Sequence, residues 1–342
     1  MSTNTIKEVF KLTAATIGLL THSVAAFPQQ VTFSASGEIG GKSGYHLDWD
    51  SESQRMIAYR DTDDPALPVV RVLSSSGNNV ALYPLKDFPD ANHIDVWAVA
   101  GAPHGDIIIS ATLTYGPRGV RPSPVKSLLL TYDATGTLRR VWDVEPYLHH
   151  HLAADSTGNV FALGEKGFTG ENYPLLIKYS ETGEVLRESL SSNLFASKAE
   201  VVGSGSPNGE AEVFVKNDHV IVWIAVTQEL FTLSLDGVLL SKTALSSAIQ
   251  NMAVLSSSSR VRVLELRVDS NQGILLQVQL WPEGKKMHAN VALARIAPNG
   301  SFDSWVEPIS AGEAHRFLGL AANDKNVFLE KVDQKTVKVD LR

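Results

Sequence analysis

The sequence predicts an all-β fold, a six-bladed β-propeller of four-stranded antiparallel blades. Three observations predict it. One phrase recurs: an apolar run, a short polar turn ending in Gly, and a second apolar run. It is found at Pro68 to Gly77, Leu128 to Gly136, Leu175 to Gly183, Leu230 to Gly237 and Leu293 to Gly300. The glycines lie 59, 47, 54 and 63 residues apart, a period that marks an array of small antiparallel sheets. Between these hairpins lies a second kind of strand pair, clearest from His151 to Leu163. There apolar residues alternate with polar ones about the turn Asp155-Ser-Thr-Gly158. Helical patterning, by contrast, is scarce, and only Ala244 to Asn251 suggests a turn of helix.

The elements follow in chain order. Lys7 and Lys11 precede the apolar stretch Leu12 to Leu20, and Ser23-Val-Ala-Ala26 supplies small residues before Pro28. This pattern predicts a secretory signal over 1–26, cleaved near Ala26, and a single propeller domain over 27–342. The stretch is short for a bilayer span, so the expected product is secreted or periplasmic. Strand pairs are expected at His46 to Tyr59, Val96 to Thr114, Val213 to Val226 and Phe317 to Leu329, with further strands at Val261 to Val268 and Ile274 to Trp281. Tyr115 to Pro124 is a Pro-rich excursion between strands. The last blade has strands within Leu318 to Leu329 and at Thr336 to Leu341, and then lacks a fourth. Gln30 to Ala35 alternates without a hairpin partner. Pairing it with Thr336 to Leu341 would close the ring and remove two exposed edges; the alternative is a circle closed within the last blade, with Val31 to Ala35 as a loose arm.

Composition bounds the partners. The chain of 342 residues carries a formal charge of -7 and has no cysteine. An acidic balance argues against nucleic acid, which favours a basic face. Without cysteine there is no disulfide, thiolate nucleophile or Cys-ligated metal site.

Leu152-Ala-Ala-Asp-Ser-Thr-Gly-Asn-Val-Phe161, followed by Leu175-Leu-Ile-Lys-Tyr-Ser-Glu-Thr-Gly-Glu-Val-Leu186, resembles the repeat of NHL-like six-bladed propellers. Thr131-Tyr-Asp-Ala-Thr-Gly136 is similar to the same family's hairpin. The Pro-x-Gly that opens such repeats is missing before Leu152, as is the Asp–Asn–Arg pattern between the second and third strands. The resemblance implies an architecture and no particular activity. It also admits a metal at the channel mouth, where six-bladed lyases carry one.

Histidines supply the candidate chemistry. His46, His93, His149, His151 and His315 lie near the starts of the expected innermost strands, which ring one mouth of the channel. Imidazoles gathered there suit ligand binding, and His46, His93, His151 and His315 could hold a divalent metal, zinc or calcium. Strand alternation gives His149 and His151 a shared direction and His150 the opposite one. Asp48 and Asp50 share a strand face, and Asp61, Asp63 and Asp64 form a loop better read as a polar turn than a calcium site. Gly37 to Ser43 falls one residue short of a phosphate-binding loop and no helix follows it. Gly203 to Gly209 reads as a surface loop, and Asn299-Gly-Ser301 as a hairpin turn that matches a glycosylation acceptor by pattern alone. The tryptophans are expected mostly between blades.

These observations lead to an exported, non-catalytic binding or protein-interaction propeller, with its ligand surface at the mouth of the central channel. The expected partners are a protein, peptide or carbohydrate ligand, with no nucleic acid, no membrane span and a monomeric chain. The competing expectation is a metal-assisted lyase or hydrolase using the mouth histidines.

Overall fold

The computed structural model describes residues 29–30, 46–50, 55–74, 79–116, 125–166, 172–195, 211–256, 258–268, 273–282, 290–297, 302–306, 314–320, 326–331 and 336–340. The described residues form an all-β propeller of four-stranded antiparallel sheets. Blade 1 is β2 (His46–Asp50), β3 (Arg55–Tyr59), β4 (Val70–Ser74) and β5 (Val80–Leu82). Blade 2 is β6 (Ala91–Gly101), β7 (Ile107–Tyr115), β8 (Val125–Tyr132) and β9 (Leu138–Asp143). Blade 3 is β10 (Tyr147–Ala154), β11 (Val160–Lys166), β12 (Pro174–Tyr179) and β13 (Val185–Ser191). Blade 4 is β14 (Glu212–Lys216), β15 (His219–Ile224), β16 (Glu229–Ser234) and β17 (Leu239–Ala244). Blade 5 is β18 (Ser258–Val268), β19 (Ile274–Pro282), β20 (Asn290–Ile296) and β21 (Phe302–Val306).

The expectation of six equivalent blades is corrected. Five blades are complete, each an up-and-down run of four consecutive strands. The remaining strands, β22 (Ala314–Leu320), β23 (Asn326–Lys331) and β24 (Thr336–Asp340), form a composite sheet with the two-residue β1 (Gln29–Gln30). Gln29 pairs with Lys338 and Gln30 with Val337. Most of the segment expected to pair there, 31–35, lies outside the described residues, as do 1–26 and the loop 117–124.

The core sits in the seams between blades, because each sheet is apolar on both faces and buries them against its neighbours. Val70, Leu82, Val96, Ile109 and Leu130 fill the seam between blades 1 and 2. Ile108, Trp142, Leu152, Ala162 and Tyr179 fill the next. Phe161, Leu163, Val222 and Phe231 join blades 3 and 4. Trp223, Leu266, Ile274 and Leu276 join blades 4 and 5 with helix α1 (Ser246–Leu255), which inserts Ala248, Ile249 and Met252 into that seam. This helix covers the segment where the sequence suggests a helical turn. Trp142 and Trp223 are buried between blades as expected, whereas Trp97 and Trp281 are only half-buried.

The recurrent phrase has one geometry. Gly136, Gly158, Gly183 and Gly237 all have positive φ, between 75° and 89°, and their amides donate to Asp133, Asp155, Ser180 and Ser234 carbonyls at 2.9–3.0 Å. The side chain of the opening residue braces the turn. Asp133 Oδ1 accepts from the Thr135 and Thr137 amides, and Ser180 Oγ from those of Thr182 and Glu184. Asp155 repeats the arrangement on the inner hairpin with Thr157 and Asn159. Burial works to raise the Asp155 carboxyl, but these hydrogen bonds outweigh it and hold the group below its usual range. In blades 2, 3 and 4 a bulge falls three residues after the turn glycine, at Arg139, Leu186 and Leu240, and β21 of blade 5 carries one at Asp303.

The outer turns also fix how blades sit together. A Cβ on Gly136 would come within 3.1 Å of Val80 and 3.2 Å of Leu82 on the preceding blade. One on Gly183 would lie 2.4 Å from the Trp142 ring, and one on Gly237 2.7 Å from Arg187. Each turn thus seats on the outermost strand of the blade before it. At Gly158 the nearest neighbour is the Glu181 side chain at 3.5 Å, so only backbone strain opposes a side chain there. Gly183→Ala is expected to lower stability by roughly 2–4 kcal/mol, because strain adds to displacement of Trp142, and Gly158→Ala by about 1 kcal/mol. Thermal and urea unfolding of the two variants check this; equal losses would show that the turn does not dock as described.

Candidate functional site

The first strands of neighbouring blades lie side by side, β6 against β10 and β10 against β14. Bulges re-aim side chains midway along two of these strands. On β6 the pairing jumps from Val96–Ala111 to Ala98–Ser110, leaving Trp97 without an opposing residue. On β10 it jumps from His149–Gly164 to His151–Leu163, leaving His150 unopposed. A bulge puts two residues against one and turns the extra side chain out of the regular alternation. The two extra residues meet: the Trp97 and His150 rings are edge-on at 5.2 Å.

Gly164 makes the second bulge possible. A Cβ at this position would lie 2.0 Å from the Leu148 carbonyl and 2.7 Å from His149 Cα. A glycine inside an otherwise apolar strand is the sequence signal for such a close approach. The meeting side chains are tied from behind. Trp97 Nε1 donates to Thr112 Oγ1 at 2.8 Å, which satisfies the indole N–H internally. His150 Nε2 lies 3.3 Å from Glu165 Oε1, on the neighbouring strand. His93, earlier on β6, forms a 2.9 Å contact with Asp95 Oδ1, and both side chains are more than a third exposed.

The bulge also overturns the expected alternation of the three adjacent histidines. His149 pairs with Gly164 and His151 with Leu163, so the two point to opposite faces of the blade. His149 is 1% exposed, and its Nε2 lies 2.9 Å from the Tyr179 hydroxyl. Its ring is parallel to that of Tyr147, with centroids 5.9 Å apart. The structure therefore places His149 in the seam between blades 2 and 3 rather than on the mouth surface. Burial, followed by the neighbouring His150, lowers its pKa from 6.5 to about 3, so it is a neutral core imidazole at pH 7. Burial likewise raises the Tyr179 hydroxyl, with Tyr147 and Glu188 acting in the same direction. His151 is half-buried on the other face.

His46 opens β2 opposite Tyr59, and His315 sits at an irregularity of β22 between Ala314 and Arg316; for both the backbone alone is described. Among the described residues, no three His, Asp or Glu side chains gather into a group able to hold a metal. Asp50 belongs to the far end of its strand, where it takes Arg55 at 2.8 Å and lies against Gly101. Asp61 Oδ1 accepts from the Val96 amide at 2.8 Å, and Asp64 Oδ1 from that of Ala66 at 2.8 Å. The Asp64 contact is that of a polar turn, whereas Asp61 ties the loop to β6. Trp97, His150, Gly164 and Glu165 are the candidate-site residues that sequence reasoning missed.

No family model matches the chain, and no curated protein matches it. Solved structures do. A protein of unknown function from Bacteroides thetaiotaomicron is 10% identical, with a TM-score of 0.48 over 91% of this chain and 74% of its own. A gluconolactonase from Xanthomonas campestris is 9% identical, with a TM-score of 0.47 over 92% and 95%. Regucalcin from Agrobacterium tumefaciens, a calcium-binding protein, is 13% identical, with a TM-score of 0.46 over 86% and 88%. Likeness at this level assigns neither activity nor ligand to this chain.

The buried imidazole makes stability depend on pH. Its folded pKa lies below the unfolded value, so the unfolded chain takes up the proton first as pH falls. The contribution is complete above pH 6.5 and is lost progressively toward pH 3. Between pH 7 and 5 the wild type is expected to lose about 2 kcal/mol more than His149→Gln. Urea unfolding at the two pH values measures the difference, and parallel losses in both proteins would refute the assignment.

Proposed function

We propose that this chain is an exported, non-catalytic binding propeller whose ligand surface is the mouth at the starts of the inner strands of blades 2 and 3. One observation carries the reading: two bulges on adjacent strands turn Trp97 and His150 toward one another. Their outer ties to Thr112 and Glu165 hold the two rings before a ligand arrives, and such preorganisation lowers the entropic cost of binding. The half-buried indole, its N–H already satisfied, offers an apolar surface; His150 is itself buried, at 7% exposure, so it backs the site and the half-buried Glu165 carboxylate offers the hydrogen bonds. That combination suits a protein, peptide or carbohydrate ligand. The described contacts of His93 and His150 are to carboxylates and that of His149 is to a phenol; no Ser or Thr hydroxyl is among them, which favours binding over nucleophilic catalysis.

Export rests on the basic, apolar and small-residue pattern of residues 1–26. No helix among the described residues is long and apolar enough to cross a membrane. The same reading takes the composite sheet as the clasp of the ring, supported by the β1–β24 pairing and by the approach of β22 to both β18 and β2.

Screening the purified protein against carbohydrate and peptide arrays, followed by titration of each hit, tests the site. Trp97→Ala and His150→Ala are each expected to weaken a true ligand at least about tenfold, or 1.4 kcal/mol. Ser156→Ala, an exposed turn residue at the other end of β10, serves as the control and leaves binding unchanged. Ligands held as tightly by both mouth variants as by wild type would move the surface elsewhere.

A further inference from the structure

The two faces of blade 2 differ toward the start of β6. Facing blade 1, the strands present Ile94, Val96, Ala111, Leu113 and Leu128, all buried and apolar. Facing blade 3, the same strands turn polar. Ser110 pairs with Ala98 and Leu129, both in the seam between blades 2 and 3. Two residues along, Thr112 pairs with Asp95 and Ser127. Cross-strand partners share a face, as do residues two apart on one strand. Ser110, Thr112 and Ser127 are buried, and a buried hydroxyl costs stability unless something bonds it. Packing alone calls for apolar side chains there, as on the opposite face. Asp95 and His93 carry the polar row on to the surface. On the facing wall, His149 Nδ1 is buried with no hydrogen-bond partner among the described residues.

Two imidazole–carboxylate pairs flank Trp97. His93 Nε2 lies 2.9 Å from Asp95 Oδ1, and His150 Nε2 lies 3.3 Å from Glu165 Oε1. Trp97 follows Asp95 by two residues and meets the His150 ring. An ionised carboxylate that takes one imidazole N–H keeps lone pairs for other donors, and a Ser or Thr hydroxyl both donates and accepts. We infer that the ligand of this site is a neutral saccharide, its C–H face on Trp97 and its hydroxyl groups on Asp95, Glu165 and the hydroxyl row of blade 2. Each sugar hydroxyl donates to a carboxylate or exchanges hydrogen bonds with Ser and Thr, and the ring offers an apolar side to the indole. An ammonium only donates, and a peptide unit carries its one donor and one acceptor on separate atoms. This ligand presupposes the surface on blades 2 and 3 proposed above, and is one of the three classes that surface admits.

Neutral-glycan and peptide arrays, followed by calorimetric titration of the strongest hits, test the ligand class. The expected result is binding of neutral saccharides that Asp95→Ala and Trp97→Ala each weaken about tenfold, the loss of one charge-assisted hydrogen bond or of the stacking surface. A ligand without charge is insensitive to screening, so its affinity changes less than about twofold between about 50 and 500 mM NaCl. The Asp95 side chain is 40% exposed, and unchanged far-UV circular dichroism and melting temperature confirm that its replacement folds. A protein that binds no neutral glycan overturns the saccharide. Peptide hits weakened by Trp97→Ala, or affinities that fall steeply with salt, overturn it too but keep the surface on blades 2 and 3. Hits indifferent to both variants remove that surface and the saccharide together.

Discussion

The architecture depends on a turn that only glycine can make and that must also sit against its neighbour. At Gly183 both demands coincide: φ is +89°, and the Trp142 ring occupies the space a side chain would need. Trp142 in turn stacks near Tyr179 with centroids 6.4 Å apart, and Tyr179 meets His149. One outer contact between blades is thus linked, through buried rings, to the base of the mouth. The same seating recurs at Gly136 on Val80 and Leu82 and at Gly237 on Arg187, so blades 1 to 4 are each seated on the next by one such turn.

The repeated phrase made the hairpins legible, because a turn that needs positive φ leaves a glycine at fixed distance from an Asp or Ser. The alternating strands were legible for the same reason as any half-buried sheet. Blade equivalence was not, since the last sheet is assembled from strands at distant positions in the sequence, and such pairing leaves no local signature. The mouth was legible only in outline. Strand starts can be counted, but the orientation of His149, His150 and His151 turned on a single unopposed residue. A one-residue slip exchanges the faces of everything beyond it, so simple alternation misassigned His149 and His151. Gly164 was the visible sign, and Trp97 could not be separated from the packing tryptophans by composition.

The candidate site illustrates how sheets generate function at their irregularities. Regular β pairing would have sent Trp97 into one seam and His150 into another. Bulges at corresponding heights of adjacent strands instead bring an indole and an imidazole to 5.2 Å. The supporting residues Thr112 and Glu165 both come from second strands of their blades, which are flanked on each side by ladder hydrogen bonds. Rigid strands therefore hold the mouth groups, and loop motion is not needed to assemble them.

The partition of the apolar interior into separate seams has a mechanical consequence. No side chain in the seam between blades 1 and 2 belongs to the cluster joining blades 4 and 5. A void opened in one seam is relieved first by the two sheets that bound it, and reaches the next seam only through a shared sheet, as at Tyr147, which packs against the clusters on both sides of blade 3. Damage is therefore compartmentalised: this fold accumulates substitutions wedge by wedge, and fails first wherever one wedge has lost its grip on the next.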